Sequence, residues 1–206
     1  MIAWNSKALG KPEDCILKLL DLTTELPLEA VLQDTHAGTH IEAPAYLIPN
    51  GKKLDQFALD SFIVQAVLLD VTSKKAGQPI DDEDLEGAEE SAGLALREGE
   101  AVVLHTGWGD SARATAIAQH AYLSVNGAEF LEFKRPSLVA IDAPSLDAQD
   151  DKALPAHSTL MRAEILVLEN LRNLDKVQES RFRLVAFPLR VNGPISPVRA
   201  VAVLEG

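Results

Sequence analysis

Two histidines and a carboxylate fall close together in "DTHAGTHIEAPAYL", residues 34–47: His36, His40 and Glu42 surround a Gly38-Thr39 pair, and Tyr46 follows shortly after. Imidazole nitrogen and carboxylate oxygen are the atoms that divalent metals such as zinc bind, at about 2.0–2.2 Å, so three such side chains share an ion only if their tips converge to within roughly 4 Å. A straight strand fails, because at about 3.3 Å per residue positions 36 and 42 stand about 20 Å apart. A helical turn would align positions i and i+4, but Gly38 and Thr39 are poor helix formers and Pro44 drives Ala43 toward extended backbone. The spacing predicts one tight turn opening into extended chain, with Gly38 supplying positive φ or a close backbone approach. On spacing alone two readings stay open, metal ligation or a surface loop with incidental histidines.

A second group lies in "HSTLMRAEILVLE", residues 157–169, where His157 sits near the start of an apolar helix and Glu169 ends the following apolar strand. A capped helix and a strand-end acid account for that pair without any ligand. An acid after "ILVL" nevertheless needs a partner, because burying an unpaired carboxylate is costly. A metal would be one.

These groups must be positioned by the elements around them. Apolar, β-branched runs predict strands at 15–22, 64–71, 101–106, 138–142, 164–169, 182–187 and 198–204, and helical patterns fall at 80–96, 112–123, 127–134 and 153–163. The first helix opens on "PIDDEDL", whose early acids suit a helix N-terminus. The fold class is mixed α/β. Between the first two strand runs lies a long stretch of little periodicity that contains the histidine motif, and such segments are functional or disordered. The terminal "VNGPISPVRAVAVLEG" reads as a strand pair closing the core. No linker-like tract interrupts the chain, which predicts one domain over residues 1–206.

Composition narrows the function. The 206 residues are 47% hydrophobic and 24% charged, an ordinary globular balance. The 31 acidic against 19 basic residues give a net charge of −12, which repels phosphate backbones and anionic membranes and argues against nucleic-acid or membrane partners. The longest apolar runs are too short to span a bilayer and the N-terminal stretch lacks a signal-like apolar segment, so a cytoplasmic location is expected. Cys15 is the single cysteine, read as a small core residue. No Gly-x-Ser-x-Gly elbow and no Gly-rich phosphate loop occurs, which leaves serine-hydrolase and nucleotide chemistry without support.

With these residues in place the chain resembles the metal-dependent cyclase family, which includes bacterial kynurenine formamidase (arylformamidase) and isatin hydrolase. The family pattern His-x-Gly-Thr-His-x-Asp-x-Pro-x-His lines up with "HAGTHIEAPAY", and further landmarks keep the order: "DLTTEL", "HTGW" at 105–108, "IDAPSLD" at 141–147, "LPAH" at 154–157, "LEN" at 168–170 and "SPVRAVAV" at 196–203. The resemblance implies a swivelling β/β/α domain, assembled as a homodimer or homotetramer, that hydrolyses an amide or cyclic amide bond of a small-molecule substrate of the N-formylkynurenine type with hydroxide generated on a metal. It implies a divalent metal, Zn2+ ahead of Mn2+, one or two per chain. His36, His40 and Glu42 would hold the first ion, His157 and Glu169 would complete a second position, and the Glu42 carboxylate would bridge them. Trp108 would line the substrate side of the site, with Ser145 a second substrate-binding candidate.

Two positions depart from the family pattern. Glu42 replaces an aspartate, still an oxygen ligand but one methylene longer. Tyr46 stands where many members carry a proton-transferring histidine; an imidazole near pKa 6.5 accepts a proton at neutral pH, whereas a phenol near 10 stays protonated and donates. Two outcomes follow from this exchange. Tyr46 serves as a proton donor in a working hydrolase with Glu169 assisting proton transfer, or hydrolysis is lost and the chain is a metal- or ligand-binding member. Elsewhere, His105 reads as a hydrogen-bonded strand end, His120 as a solvated or core histidine, and Asp142, Ser145 and Asp147 as turn-stabilising residues.

Overall fold

The structure, a computed structural model, describes residues 34–109 and 119–204. The strand run at 15–22, Cys15 and the landmark "DLTTEL" lie outside the described residues.

Among the described residues the main sheet has eight strands in the order β10-β8-β2-β4-β6-β7-β1-β9, from β1 (His40–Glu42), β2 (Ile63–Asp70), β4 (Ala101–His105), β6 (Leu138–Ile141), β7 (Leu166–Glu169), β8 (Arg181–Val185), β9 (Ile195–Pro197) and β10 (Val201–Val203). β2, β4, β6 and β7 run parallel at the centre, and β8 and β10 on one side, β1 and β9 on the other, pair antiparallel. A two-stranded parallel sheet joins β3 (Pro79–Ile80) to β5 (Tyr122–Leu123). Three α-helices are found among the described residues: α1 (Asp82–Ala92), α2 (Val125–Lys134) and α3 (Pro155–Arg162).

The central strands read as continuous apolar runs because both of their faces are buried. Alternate residues go to opposite sides. Val67, Leu69, Val102, Leu104, Val139, Ile141 and Val167 share one core with residues of all three helices, while Ala66, Ala101, Val103, Leu138, Ala140, Leu166 and Leu168 share a second with Ile41, Phe182 and Leu184. The acids at the start of α1 act as expected: Asp81 and Asp84 form a capping box and Gly93 ends the helix in left-handed geometry.

Six of the seven strand runs are described, and each holds a strand. The mixed α/β class is therefore observed; the helices expected at 80–96 and 153–163 contain α1 and α3, and the one expected at 127–134 lies within α2, which starts two residues earlier at Val125. The helix expected at 112–123 is corrected at its C-terminal end, where Tyr122 and Leu123 are strand β5 because they pair with Pro79 and Ile80; residues 112–118 are outside the described set. The terminal strand pair is also corrected. β9 pairs with β1 and β10 with β8, at opposite ends of the strand order. Only residues 198–200 separate them, and so short a link spans at most about 14 Å. The sheet must curl until its two edges approach.

One buried carboxylate ties the strand ends together at the carboxyl side of β4 and β6. Asp142, fully buried, accepts the Thr106 N–H at 2.9 Å and the Thr106 hydroxyl at 2.6 Å through Oδ1, and the Gly109 N–H at 3.1 Å through Oδ2. This is more than a local turn: it joins two connections that are far apart in sequence. Asp142→Ala is expected to lower unfolding free energy by about 1–3 kcal/mol for each donor left unsatisfied, read as a lower urea midpoint at unchanged m-value. A midpoint equal to wild type would show that the clamp is replaceable by water.

Candidate metal centre

The turn expected from the opening motif is present. The Ala37 N–H donates to the Asp34 carbonyl at 3.0 Å and the His36 N–H to the Asp34 carboxylate at 2.9 Å. Gly38 has φ of 71° with no atom near the place a Cβ would take, so its role is positive φ and not close approach. β1 begins immediately after. In a strand residues i and i+2 share a face, which aims His40 and Glu42 into the site and sends Ile41 into the opposite core.

Strand pairing recruits Glu169. β1 lies antiparallel to β7 with His40 directly opposite Glu169, so these side chains are cross-strand neighbours. The Thr39 hydroxyl locks that register by donating to the Asn170 carbonyl at 2.7 Å. α3 delivers His157 from its first turn.

The resulting distances are short. Glu42 Oε1 lies 3.4 Å from His36 Nε2 and 3.3 Å from His40 Nε2, while Glu42 Oε2 lies 3.3 Å from His157 Nε2. Glu169 reaches His40 Nε2 at 3.3 Å and His157 Nε2 at 3.0 Å. The donor atoms form two sets, His36/His40/Glu42 and Glu42/His157/Glu169, with every atom of a set within 4.8 Å of the others. Glu42 belongs to both. All are buried except His36, whose side chain is 43% exposed.

Both buried imidazoles of the centre carry a proton on Nδ1. His40 Nδ1 faces the Gly38 carbonyl at 2.9 Å and His157 Nδ1 faces the Asp147 carboxylate at 2.6 Å; each must be N–H, because its partner only accepts. Nε2 of both rings is left to the centre. There His40 Nε2 and Glu42 Oε2 are buried and close to their neighbours, yet neither makes a hydrogen bond of acceptable direction. Native interiors rarely tolerate that. Convergent Nε2 and carboxylate atoms, near one another but not bonded, fit an ion.

Charge points the same way. Glu42, Asp147 and Glu169 bring three buried carboxylates against two buried imidazoles, so even full protonation of both rings leaves an excess of negative charge. Burial opposes the charged ring of His40, but the nearby Glu169 and Glu42 and the Gly38 carbonyl outweigh it and push His40 up to about 10. Burial likewise opposes charge on His157, and Asp147, Glu169 and Glu42 hold it well above its usual 6.5. Against burial, His157 and His40 hold the Glu169 carboxyl down to about 2, and the same two rings lower Glu42. Protons occupy the role a cation would take.

Tyr46 belongs to this centre. It follows Pro44 in a short 3-10 turn, stands edge-on to His36 with ring centroids 5.5 Å apart, and is held above its usual pKa by burial and by the Glu42 charge. Its hydroxyl stays protonated. Trp108 is buried and edge-on to His120, centroids 5.9 Å apart, and Ser145 is half-buried with its oxygen accepting the Asp147 N–H at 3.3 Å. His105 ends β4, and His120 is a core histidine. Asp147 does more than stabilise a turn: it supplies the acceptor for the second ring nitrogen of buried His157.

The Cyclase family model matches residues 2–148. The chain belongs to that family. A kynurenine formamidase from Bacillus cytotoxicus is 34% identical over 173 residues, covering 83% of this chain and 77% of that protein. Among solved structures, a potential metal-dependent hydrolase with cyclase activity superposes with a TM-score of 0.71 at 28% identity, over 82% of this chain and 79% of that one. An isatin hydrolase bound to the product analogue thioisatinate superposes with a TM-score of 0.75 at 25% identity, over 85% and 74%. The mixed α/β fold built on the curled sheet is this family's fold.

The titration of the centre gives a signed prediction for the metal-free protein. His40, raised from 6.5 to about 10, contributes stability that is complete below pH 6.5 and lost as pH rises through about 10. Glu169, lowered from 4.5 to about 2, contributes stability present above 4.5 and lost as pH falls through about 2. The cluster is at its most stabilising between these limits. A divalent ion must displace the ring protons, so the rise in Tm on adding zinc is expected to grow steadily from pH 5.5 to 8.5; a rise that is flat or shrinks with pH would contradict the assignment of these rings.

Proposed function

We propose that the protein is a hydrolase that depends on a divalent metal and cleaves a non-peptide C–N bond, an amide or cyclic amide, in a small molecule, with aryl formamides of the N-formylkynurenine type as the leading substrate class. The observation that carries this reading is the convergence of His36, His40, Glu42, His157 and Glu169 as two donor sets that share Glu42, with His40 Nε2 and Glu42 Oε2 left unbonded. The kynurenine formamidase and isatin hydrolase relatives support the bond type.

In this reading His36, His40 and Glu42 hold one ion, and Glu42, His157 and Glu169 hold a second position, with Zn2+ the first candidate and Mn2+ the next. The two Glu42 oxygens face different imidazoles, which suits a bridging carboxylate. A bound divalent ion would lower the pKa of a coordinated water toward about 7 and polarise the scissile carbonyl. Everything else is supplied by the chain. Tyr46, kept protonated by burial and by Glu42, donates a hydrogen bond to the carbonyl oxygen as charge develops there, or a proton to the departing nitrogen. Glu169 is open to two roles, ligand and proton acceptor, and its geometry favours the ligand: one oxygen already accepts the Leu146 N–H at 2.7 Å. Trp108 and Ser145 are the proposed substrate contacts, by resemblance to the family.

Tyr46 also motivates the competing reading, a metal- or ligand-binding protein without turnover. Metal content and hydrolysis separate the two. Protein purified without chelator is expected to carry one or two equivalents of metal by plasma mass spectrometry, lost in His40→Ala, and to open formyl or cyclic aryl amides. Bound metal without turnover of any such amide would favour the binding protein. Tyr46→Phe is expected to keep its metal and to lose roughly 100-fold or more in kcat; unchanged kcat would remove Tyr46 from the mechanism.

A further inference from the structure

α3 begins without a cap of its own. Leu154, at its N-cap, sits in left-handed geometry with φ of 47° and offers no side-chain acceptor to the first turn. Asp147, 1% exposed, fills that place from the preceding loop. Its Oδ1 accepts the Ala156 N–H at 2.8 Å, and its Oδ2 accepts both the His157 N–H at 3.1 Å and His157 Nδ1–H at 2.6 Å. One carboxylate therefore caps the helix and fixes the ring that the helix carries.

The loop around Asp147 is itself held. The Leu146 N–H donates to Glu169 Oε1 at 2.7 Å, so two consecutive residues contact two of the three side chains of the second metal position, Glu169 and His157. From the other side, the Leu123 N–H donates to the Leu146 carbonyl at 2.7 Å, and His120 Nε2–H donates to the Asp147 carbonyl at 2.9 Å. Buried His120 and strand β5 thus brace the dipeptide against the core.

We infer that Asp147 is a positioning residue for metal binding: it holds His157 as the Nδ1–H tautomer with Nε2 aimed at the centre, on a Leu146–Asp147 strut that His120 and β5 keep rigid. This rests on the metal-dependent reading above. A histidine ligand whose second nitrogen is anchored by a carboxylate gains both orientation and basicity. Capping alone would need only the contacts to backbone N–H groups; the 2.6 Å contact to Nδ1 is what a capping role leaves unexplained.

Asp147→Asn keeps the Ala156 N–H cap on its amide oxygen, but its NH2 takes the place of Oδ2, where it gives up the His157 N–H cap and competes as a donor toward Nδ1, favouring the wrong tautomer. Zinc affinity, measured by chelator competition, is expected to fall about 10- to 100-fold, and thermal unfolding in excess chelator measures separately the loss of the His157 N–H cap. Equal zinc affinity in variant and wild type, with wild type binding zinc, overturns the inference and leaves the metal reading intact. No zinc on the wild type overturns both. If the variant fails to fold, the wild type decides alone: long-range 1H–15N spectra of the zinc-loaded protein are expected to show His157 protonated at Nδ1, and protonation at Nε2 overturns the inference.

Discussion

The constraint on which this structure turns is buried negative charge. Three carboxylates, on Glu42, Asp147 and Glu169, lie in an interior from which water is excluded, where an uncompensated charge costs several kcal/mol. Each is answered locally, Asp147 by α3 and its histidine, Glu169 by a backbone N–H and two imidazoles, Glu42 by three imidazoles. The answer is complete for hydrogen bonding at Asp147 and incomplete at Glu42. That inequality marks where a cation fits and why the rings of His40 and His157 hold protons so firmly without one.

Much of this was legible in the chain. The central strands announced themselves because burial on both faces makes them apolar throughout, and the helices because their apolar positions recur at helical spacing. The short strands did not. β1, β3, β5 and β9 are two or three residues long, too short for any period to register, and β1 owes its existence to partners more than a hundred positions away. The terminal segment misled for a related reason: an apolar run shows that a strand forms and says nothing about which edge it joins.

The site shows the same division. His36, His40 and Glu42 were readable because they are near neighbours whose types share one chemistry, and Gly38 because a turn was geometrically required between them. His157 and Glu169 could be named from the cost of burying an acid and from family resemblance. Asp147 was visible only as a turn residue, since its partners lie one helix onward, and the Thr39 hydroxyl bond to Asn170 needed the β1–β7 pairing before it meant anything. Tyr46 was readable as an oddity; its edge-on contact with His36 and its nearness to Glu42 give the oddity a location.

The pairing of His40 with Glu169 has a consequence for how the protein is made. The two residues are adjacent across strands, yet the ribosome produces them some 130 residues apart, and at about 5–20 residues per second the first half of the centre waits many seconds for the second. During that wait the turn carrying His36 and His40 has no β7 to dock on and no Glu169 or His157 beside it. A nascent chain truncated before residue 157 could offer an ion only one of the two donor sets. Complete metal capture is thus an event of the finished chain, and the centre reports that synthesis has passed β7 and that the sheet has closed around it.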